Sequence, residues 1–310
     1  MRIAFAGSTT FSLPSLTALA GGPHELAWVL TAAERRGDRG RPAERPVRDL
    51  AQCLRLPVLQ PERADARALT AAGAGDADLL IVCAYGQLLS DSVLALFHHG
   101  AWGVHPSLLP RHRGASPVAS AILAGDVETG VSIYQMERRL DAGPVLAQVS
   151  AGVPPRATTP ALTEMLASKA ADLLLRTLES FTAGELEPRS QDEALATYAP
   201  KVTRGSGAVS WRMPAITIDR AVRALQPWPG TRADLCGSPV KLLSGEVMAP
   251  RADIADAAPG DLLGIRDNAV AIATGAGAYL LQKLQPPGSR PMSALAFLHG
   301  RRVSPPVLPL

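Results

Sequence analysis

Short apolar runs alternate with helical patterns along the first 180 residues of the chain. Period-2 or continuous apolar runs predict strands at Arg2–Ala6, Leu26–Thr31, Val58–Leu59, Asp78–Ala84, Ala101–His105, Gly130–Met136 and Pro144–Val149. Apolar positions at helical spacing predict helices at Leu13–Ala20, Val47–Leu56, Ala64–Ala72, Pro117–Leu123 and Thr159–Phe181. Strands that alternate with helices favour an α/β fold with a Rossmann-like parallel sheet.

The pattern changes after a polar stretch with prolines at 188 and 200. Beyond it the predicted strands are short and are separated by Gly and Pro turns: Val209–Trp211, Val240–Leu243, Asp261–Ile265, Ala269–Ala273 and Tyr279–Leu284, with one helix at Ile218–Leu225. Such spacing is typical of a small β-barrel. We therefore expect a Rossmann-like domain over residues 1–188, a linker over 189–204 and a β-barrel domain over 205–310.

The composition is that of an ordinary globular protein, with 310 residues of which 47% are hydrophobic and 19% are charged. No apolar run approaches the roughly 18 residues of a membrane span. The three cysteines are widely spaced and lack metal-ligand spacing, so we expect no metal site. We expect their thiols to be buried, in a protein of the cytoplasm. The net charge of +3 does not by itself indicate a nucleic-acid partner. The segment from 191 to 310 is mildly basic, with 13 Lys and Arg against 9 Asp and Glu.

Two polar turns carry the candidate chemistry. His105 ends a predicted strand, which is where open α/β sheets place their ligand crevice. Asp141 lies in a second turn about 35 residues later. A carboxylate beside an imidazole fixes its tautomer and favours its charged form, so the two residues are a candidate catalytic pair. Taken alone, His105 could equally be a structural residue that caps a strand end.

A basic stretch interrupted by glycine and proline lies between the second predicted strand and the helix that follows it. It contains Arg35, Arg36, Arg39 and Arg41. It is too broken for a helix and too charged for a core, so it is either a solvated surface loop or a flexible finger that binds phosphates.

Several motifs, in order, carry a resemblance to a known family. Val104-His105-Pro106-Ser107-Leu108-Leu109-Pro110, Gly130-Val131 and Leu140-Asp141-Ala142-Gly143 resemble the formyltransferases that use 10-formyltetrahydrofolate. The segments Ala199-Pro200-Lys201-Val202, Pro227-Trp228-Pro229-Gly230 and Gly300-Arg301-Arg302 resemble the C-terminal domain of the methionyl-tRNA formyltransferase family. The resemblance covers nearly the whole chain.

The resemblance implies formyl transfer from 10-formyltetrahydrofolate to the α-amine of initiator methionyl-tRNA, by a cytoplasmic monomer with an OB-like C-terminal domain. His105 and Asp141 would be catalytic, with Gly103 at a third catalytic position. The residues implied to bind folate are Val82, Tyr85, Gly86, Gln87, Leu88, Ser107, Leu108, Leu109 and Pro110. Those implied to bind tRNA are Arg35, Arg36, Arg39, Arg41 and Lys201, and Arg39 matches the family's key arginine.

Gly103 departs from the family pattern, which has asparagine two residues before the histidine. The amide of that asparagine donates to the oxyanion that develops during transfer, and the loss of one such donor costs about 100- to 1,000-fold in rate. A bound water, Ser107 or the His112 ring could supply the missing donor. The sequence leaves open a slow, a rescued and an inactive enzyme, and a Gly103→Asn variant is the test that it suggests.

Three alternatives remain from the sequence. A formyltransferase acting on the amine of a sugar nucleotide shares the His and Asp pattern, but the basic loop and the C-terminal domain argue against it. A non-catalytic tRNA-binding relative would bind charged tRNA in a salt-sensitive manner and catalyse nothing. A hydrolase that releases formate from the folate would need no basic loop.

Overall fold

The computed structural model describes residues 1–33, 44–71, 74–249 and 257–303. The chain divides into two compact units. The first comprises Met1–Pro117, Glu128–Val153 and Leu162–Pro200, and the second comprises Val118–Val127, Pro154–Ala161 and the chain from Lys201 onwards. The helices are α1 (Leu13–Ala20), α2 (Pro46–Cys53), α3 (Ala66–Ala71), α4 (Asp91–Leu94), α5 (Pro117–Ala124), α6 (Thr159–Thr182), α7 (Ala215–Ala224) and α8 (Ala294–Gly300).

The first unit is built on a seven-stranded sheet. Its strands are β1 (Arg2–Gly7), β2 (Glu25–Leu30), β3 (Val58–Leu59), β4 (Leu79–Cys83), β5 (Ala101–His105), β7 (Glu128–Gln135) and β8 (Val145–Gly152), while β6 (Arg113–Gly114) and β9 (Tyr198–Ala199) form a separate pair. The order across the sheet is β3-β2-β1-β4-β5-β7-β8. The first five strands are parallel, so their carboxyl ends lie at one edge. The last two strands are antiparallel.

The pairing of β5 with β7 decides which side chains share a face of this sheet. In the antiparallel register, Gly103 lies opposite Tyr134 and His105 lies opposite Ser132. Because side chains alternate along a strand, these four residues occupy the same face. The intervening Trp102 points to the other face, where its ring meets Phe181 of α6 edge-on at 5.2 Å. The helix covers one face, and His105 lies on the other.

The second unit contains an antiparallel sheet. Its strands are β10 (Thr231–Leu235), β11 (Ser238–Met248), β12 (Leu262–Arg266), β13 (Ala269–Ala273), β14 (Ala278–Gln285) and β15 (Met292–Ser293). The order is β10-β11-β14-β13-β12, with β15 paired to β14. Its buried core joins Ile218 and Val222 of α7 to Val270, Tyr279 and Leu281 of the sheet. Among the described helices, none has the length and apolar character that a membrane crossing needs.

The predicted fold class is confirmed: a Rossmann-like parallel sheet precedes an antiparallel β domain. Several details differ from the sequence predictions, and strand β10 was not predicted. Val209–Trp211 is not a strand, because Trp211 lies in a turn and buries its indole from there. Helix α8 was not predicted, although Ser293 caps it by accepting from the amide of Ala296. Of the cysteines, only Cys83 is buried, and burial raises its pKa to about 12.

Candidate active site

His105 ends β5 at the carboxyl edge of the parallel strands, and its side chain is buried. Its Nε2 atom lies 2.8 Å from the backbone carbonyl oxygen of His112. Its Nδ1 atom lies 3.6 Å from Oδ2 of Asp141. Both ring nitrogens of His105 therefore face oxygen atoms. The predicted pairing of His105 with Asp141 is present in the structure.

Asp141 lies in the loop between β7 and β8, with a left-handed backbone (φ 52°) and a buried side chain. Aspartate tolerates this conformation better than most residues. The Tyr134 hydroxyl donates to Oδ1 at 2.6 Å, and the backbone amide of Gly114 donates to Oδ2 at 2.7 Å. Gly114 itself has φ 120°, a conformation open in practice only to glycine. Two neutral donors thus orient the carboxylate while its negative charge remains directed at His105.

The loop that carries Asp141 is held from behind by the stretch predicted as a linker. The Gln191 amide nitrogen donates to the backbone carbonyl oxygens of Asp141 at 2.9 Å and of Gly143 at 2.7 Å. The buried Arg113 guanidinium donates in turn to Oε1 of Gln191 and to both carboxylate oxygens of Glu193. Residues up to Pro200 belong to the first unit, and Gln191 among them holds the loop that carries Asp141.

Glu193 joins two arginines at this clamp. It accepts hydrogen bonds from Arg113 and from Arg139, the latter at 2.7 Å. These two bonds lower the pKa of Glu193 to about 2. The carboxylate of Glu193 consequently stays ionised at neutral pH.

Gly103 lies in β5 two residues before His105 and brings no side-chain donor to the site. Of the substitutes that the sequence suggested, the Ser107 hydroxyl already donates to the backbone carbonyl of Arg111 at 2.6 Å. His112, the other suggested side chain, lies in a loop and is buried. Its backbone carbonyl is the group that faces His105.

The residues predicted to bind folate lie in two segments that follow neighbouring strand ends. Val82 lies within β4 and is partly buried. After β4, Gly86 and Leu88 are exposed, Gln87 is partly buried, and the buried Tyr85 phenol has no hydrogen-bond partner among the described residues. Burial raises the pKa of Tyr85 to about 12. After β5 come Ser107, Leu108, Leu109 and Pro110, with a cis peptide bond before the proline.

The residues predicted to bind tRNA are described only in part. Arg35, Arg36, Arg39 and Arg41 lie outside the described residues. Lys201 is exposed at the start of the second unit's C-terminal stretch. Within the described ranges, no group of three His, Cys, Asp or Glu side chains is arranged to hold a metal ion.

Sequence reasoning missed Tyr134, Arg113 and Gln191. Tyr134 looks like one more apolar position of a predicted strand, and only the register opposite Gly103 brings it to Asp141. Arg113 and Gln191 are 78 residues apart, so no local pattern links them. One signal was present in the sequence: Arg113 comes just after the His105 motif and lies between apolar segments. A charged residue that is buried there needs a partner elsewhere in the chain.

Comparison with known proteins identifies the family. Residues 1–178 match the family described as formyl transferase, and residues 201–302 match the formyl transferase C-terminal domain. A methionyl-tRNA formyltransferase from Roseiflexus castenholzii is 41% identical over 98% of this chain and 97% of its own length. One from Granulibacter bethesdensis is 40% identical over 98% and 95%.

Solved structures share the fold at low sequence identity. HypX from Aquifex aeolicus, solved in complex with tetrahydrofolic acid, aligns over 99% of this chain with a TM-score of 0.65 and 21% identity, and this chain spans about half of it (49%). An N-formyltransferase from Helicobacter canadensis, complexed with folinic acid and dTDP-3-aminofucose, aligns over 92% of this chain and 99% of its own, with a TM-score of 0.67 and 13% identity. With relatives at about 40% identity along its whole length, the chain belongs to the methionyl-tRNA formyltransferase family.

Proposed function

We propose that this protein transfers a formyl group from 10-formyltetrahydrofolate to the α-amine of methionyl-tRNA, with His105 and Asp141 as the catalytic pair. The observation that carries the proposal is the buried pair itself, with Nδ1 of His105 3.6 Å from Oδ2 of Asp141 at the edge where parallel sheets bind ligands. The relatives that match over the full length carry the same activity in their names.

The chemistry needs a group that handles one proton. When bound, 10-formyltetrahydrofolate supplies a formyl carbon that an amine can attack. His105 accepts the proton that the amine nitrogen loses as its bond to that carbon forms, and returns it to the folate nitrogen as the old bond breaks. Asp141 stabilises the protonated ring between these two events. The Nε2 atom, now facing the His112 carbonyl, is the ring position available to substrate if that contact opens.

The turn after β4 fits a folate ring that is bound through backbone groups. The backbone amides of Gly86, Gln87 and Leu88 make no backbone hydrogen bond within the described part of the chain. A Cβ atom on Gly86 would meet nothing within 4 Å, so the space beside the turn is open. Gln87 is held in place, because its Oε1 accepts from the amide of Ala64 at 3.1 Å. The turn therefore presents fixed, unused donors to a planar polar ligand.

Different parts of the chain carry out formyl transfer and tRNA binding in this proposal. Residues 1–188 carry the chemistry, 189–204 lead to the next domain and hold the Asp141 loop through Gln191, and 205–310 help to hold tRNA. The protein acts as a cytoplasmic monomer. The basic loop with Arg39 would grip the acceptor end, since arginine binds phosphate through two hydrogen bonds. The exposed Lys201 adds a charge at the start of the basic C-terminal segment. The binding should weaken steeply as salt rises.

The test is formyl transfer with two acceptors and matched variants. We expect the protein to formylate methionyl-tRNA and not an amino sugar nucleotide, and His105→Ala to abolish transfer while the exposed His98→Ala keeps it. A protein that binds tRNA but transfers no formyl group would be the non-catalytic relative. Release of formate without acceptor, at a rate equal to transfer, would support the hydrolase instead.

The tRNA loop is tested separately by affinity. Arg39→Ala should weaken tRNA binding about tenfold by removing one phosphate contact, and should leave folate binding unchanged. Arg67→Ala, on the exposed side of α3, is the matched control. Equal tRNA affinity of the two variants would contradict the role of the loop.

A further inference from the structure

The space beside Gly103 is filled by another residue. Tyr134 lies directly opposite Gly103 in the β5–β7 register, on the face that carries His105. A Cβ atom placed on Gly103 would overlap the Tyr134 ring at Cε1 and Cζ and would lie 2.7 Å from its hydroxyl oxygen. Real Cβ atoms do not approach other atoms so closely, so no side chain fits at position 103 while the ring stays in place.

The Tyr134 ring is not free to move aside. It is 4% exposed, and it packs with Leu109 and Val145 in one apolar cluster. Its hydroxyl donates to Oδ1 of Asp141 at 2.6 Å, and its ring meets that of His105 edge-on at 6.4 Å. Any displacement of the ring would therefore break the hydrogen bond to Asp141 or open a void in a packed cluster.

We propose that Tyr134 is a positioning residue that takes the place of the side chain that Gly103 lacks, filling its space and holding Asp141 against His105. Gly103 and Tyr134 are then one coupled pair: glycine is required at 103 for as long as tyrosine stands at 134. The reaction that this arrangement serves is the proposed formyl transfer, whereas the coupling itself rests on geometry alone.

The hydroxyl acts through Asp141 rather than on substrate. A phenol has one proton, and that of Tyr134 is donated to the carboxylate. Burial, together with the charge of Asp141 and this hydrogen bond, raises the pKa of Tyr134 well above its ordinary value, so the donor is retained at every working pH. The carboxylate is thereby fixed in the plane that points Oδ2 at Nδ1 of His105.

This pair changes what we expect of the Gly103→Asn variant, in which the asparagine of the family pattern is restored. Asparagine at 103 would have to displace the Tyr134 ring from Asp141 before its amide reached any substrate. We therefore expect Gly103→Asn to lower kcat about tenfold rather than to raise it, which at about 1.4 kcal/mol per tenfold is one lost hydrogen bond.

The coupling is tested with Gly103→Ala, which adds only the Cβ atom. Measured alone, it should lower the urea midpoint of unfolding and reduce kcat; in a Tyr134→Ala background it should cost neither. Gly152→Ala is the matched control, because a Cβ atom at Gly152 of β8 would meet nothing within 4 Å. Equal costs of Gly103→Ala in the two backgrounds would overturn the pair.

The positioning role is tested with Tyr134→Phe, which keeps the ring and removes the hydroxyl. We expect kcat to fall about tenfold, KM for methionyl-tRNA and folate affinity to stay constant, and the ring ¹⁵N resonances of His105 to shift. In an Asp141→Asn background the same change should have little further effect. Tyr279→Phe is the control, since that buried phenol has no hydrogen-bond partner among the described residues.

The outcomes separate this proposal from the proposed function. Unchanged kcat and unchanged His105 resonances in Tyr134→Phe would overturn the positioning role. A wild-type protein that formylates no methionyl-tRNA would remove the proposed function. The resonances and the unfolding cycle at Gly103 would still decide whether Tyr134 holds Asp141 and excludes a side chain at 103.

Discussion

Within the part of the chain that the structure describes, each unit buries one aspartate, and the two are held in opposite ways. Asp219 in α7 accepts from two arginines, with Arg156 at 3.0 Å on one oxygen and Arg223 at 2.8 Å on the other. Asp141 accepts from a tyrosine hydroxyl and a backbone amide, both neutral, and its basic partner among the described residues is His105. The negative charge of the Asp219 carboxylate is already neutralised by two permanently charged arginines, so it cannot stabilise a further cation. Because the Tyr134 hydroxyl and the Gly114 amide are neutral, they orient the Asp141 carboxylate without neutralising its charge, which remains available to His105.

The largest expected effect is on catalysis, at Asp141. Asp141→Asn keeps the shape but removes the charge that stabilises the protonated ring of His105. We expect kcat for formyl transfer to fall about 100- to 10,000-fold, while the urea midpoint changes little. A loss of less than tenfold, measured by single-turnover kinetics, would mean that His105 works without this carboxylate.

The next effect is on stability, at Asp219. Asp219→Asn leaves the nearly buried Arg223 without its counter-charge, and breaking a buried pair costs about 3 kcal/mol of unfolding free energy. Transfer by the folded variant should remain within about twofold of wild type, because Asp219 is buried in the second unit, whereas His105 and Asp141 belong to the first. Urea unfolding together with the transfer assay checks both parts. A large fall in kcat with unchanged stability would reverse the roles assigned to the two aspartates.

A smaller effect is expected at the clamp behind the loop. Gln191→Ala removes two hydrogen bonds to the carbonyls of Asp141 and Gly143, so the carboxylate is less well placed. We expect kcat to fall about tenfold, since each such bond contributes about 1 kcal/mol. Gln52→Ala, on the exposed side of α2, is the control. Equal rates for the two variants would show that the loop keeps its position without Gln191.

The smallest effect concerns pH and Glu193. Its pKa is about 2 in the folded protein against an ordinary 4.5, so its contribution to stability is present above pH 4.5 and is lost as the pH falls towards 2. Glu193→Gln should therefore bring the stability of the variant and the wild type together as the pH falls through this range. Because the side chain is half exposed, the difference above pH 4.5 will be small. Acid titrations at fixed urea measure it, and parallel curves would contradict the assignment.

Local pattern was enough to place most elements. Helix α1 and strands β5 and β13 begin and end at the residues that the apolar periods predicted, because turn residues bound each run. The strand predicted at Val209–Trp211 failed for a tertiary reason. Trp211 is buried from a turn by tertiary packing, so its apolar character imitates a strand.

Half of the residues that make up the candidate site could likewise be read from the sequence. His105 and Asp141 were recoverable because each sits in a polar motif between apolar runs. Tyr134 was not, since its contact with Asp141 follows from an antiparallel register that a Rossmann-like pattern does not specify. Gly103 was noticed as a departure, but its reason lies in the facing strand and not in its own segment.

The most direct test of the account is single-turnover formyl transfer from 10-formyltetrahydrofolate to methionyl-tRNA by the wild-type protein, Asp141→Asn and Asp219→Asn, all measured below their unfolding midpoints. The account predicts transfer by the wild type and by Asp219→Asn at similar rates, and a loss of at least 100-fold in Asp141→Asn. Equal rates for all three proteins would contradict the claim that the neutrally held carboxylate beside His105 drives the reaction.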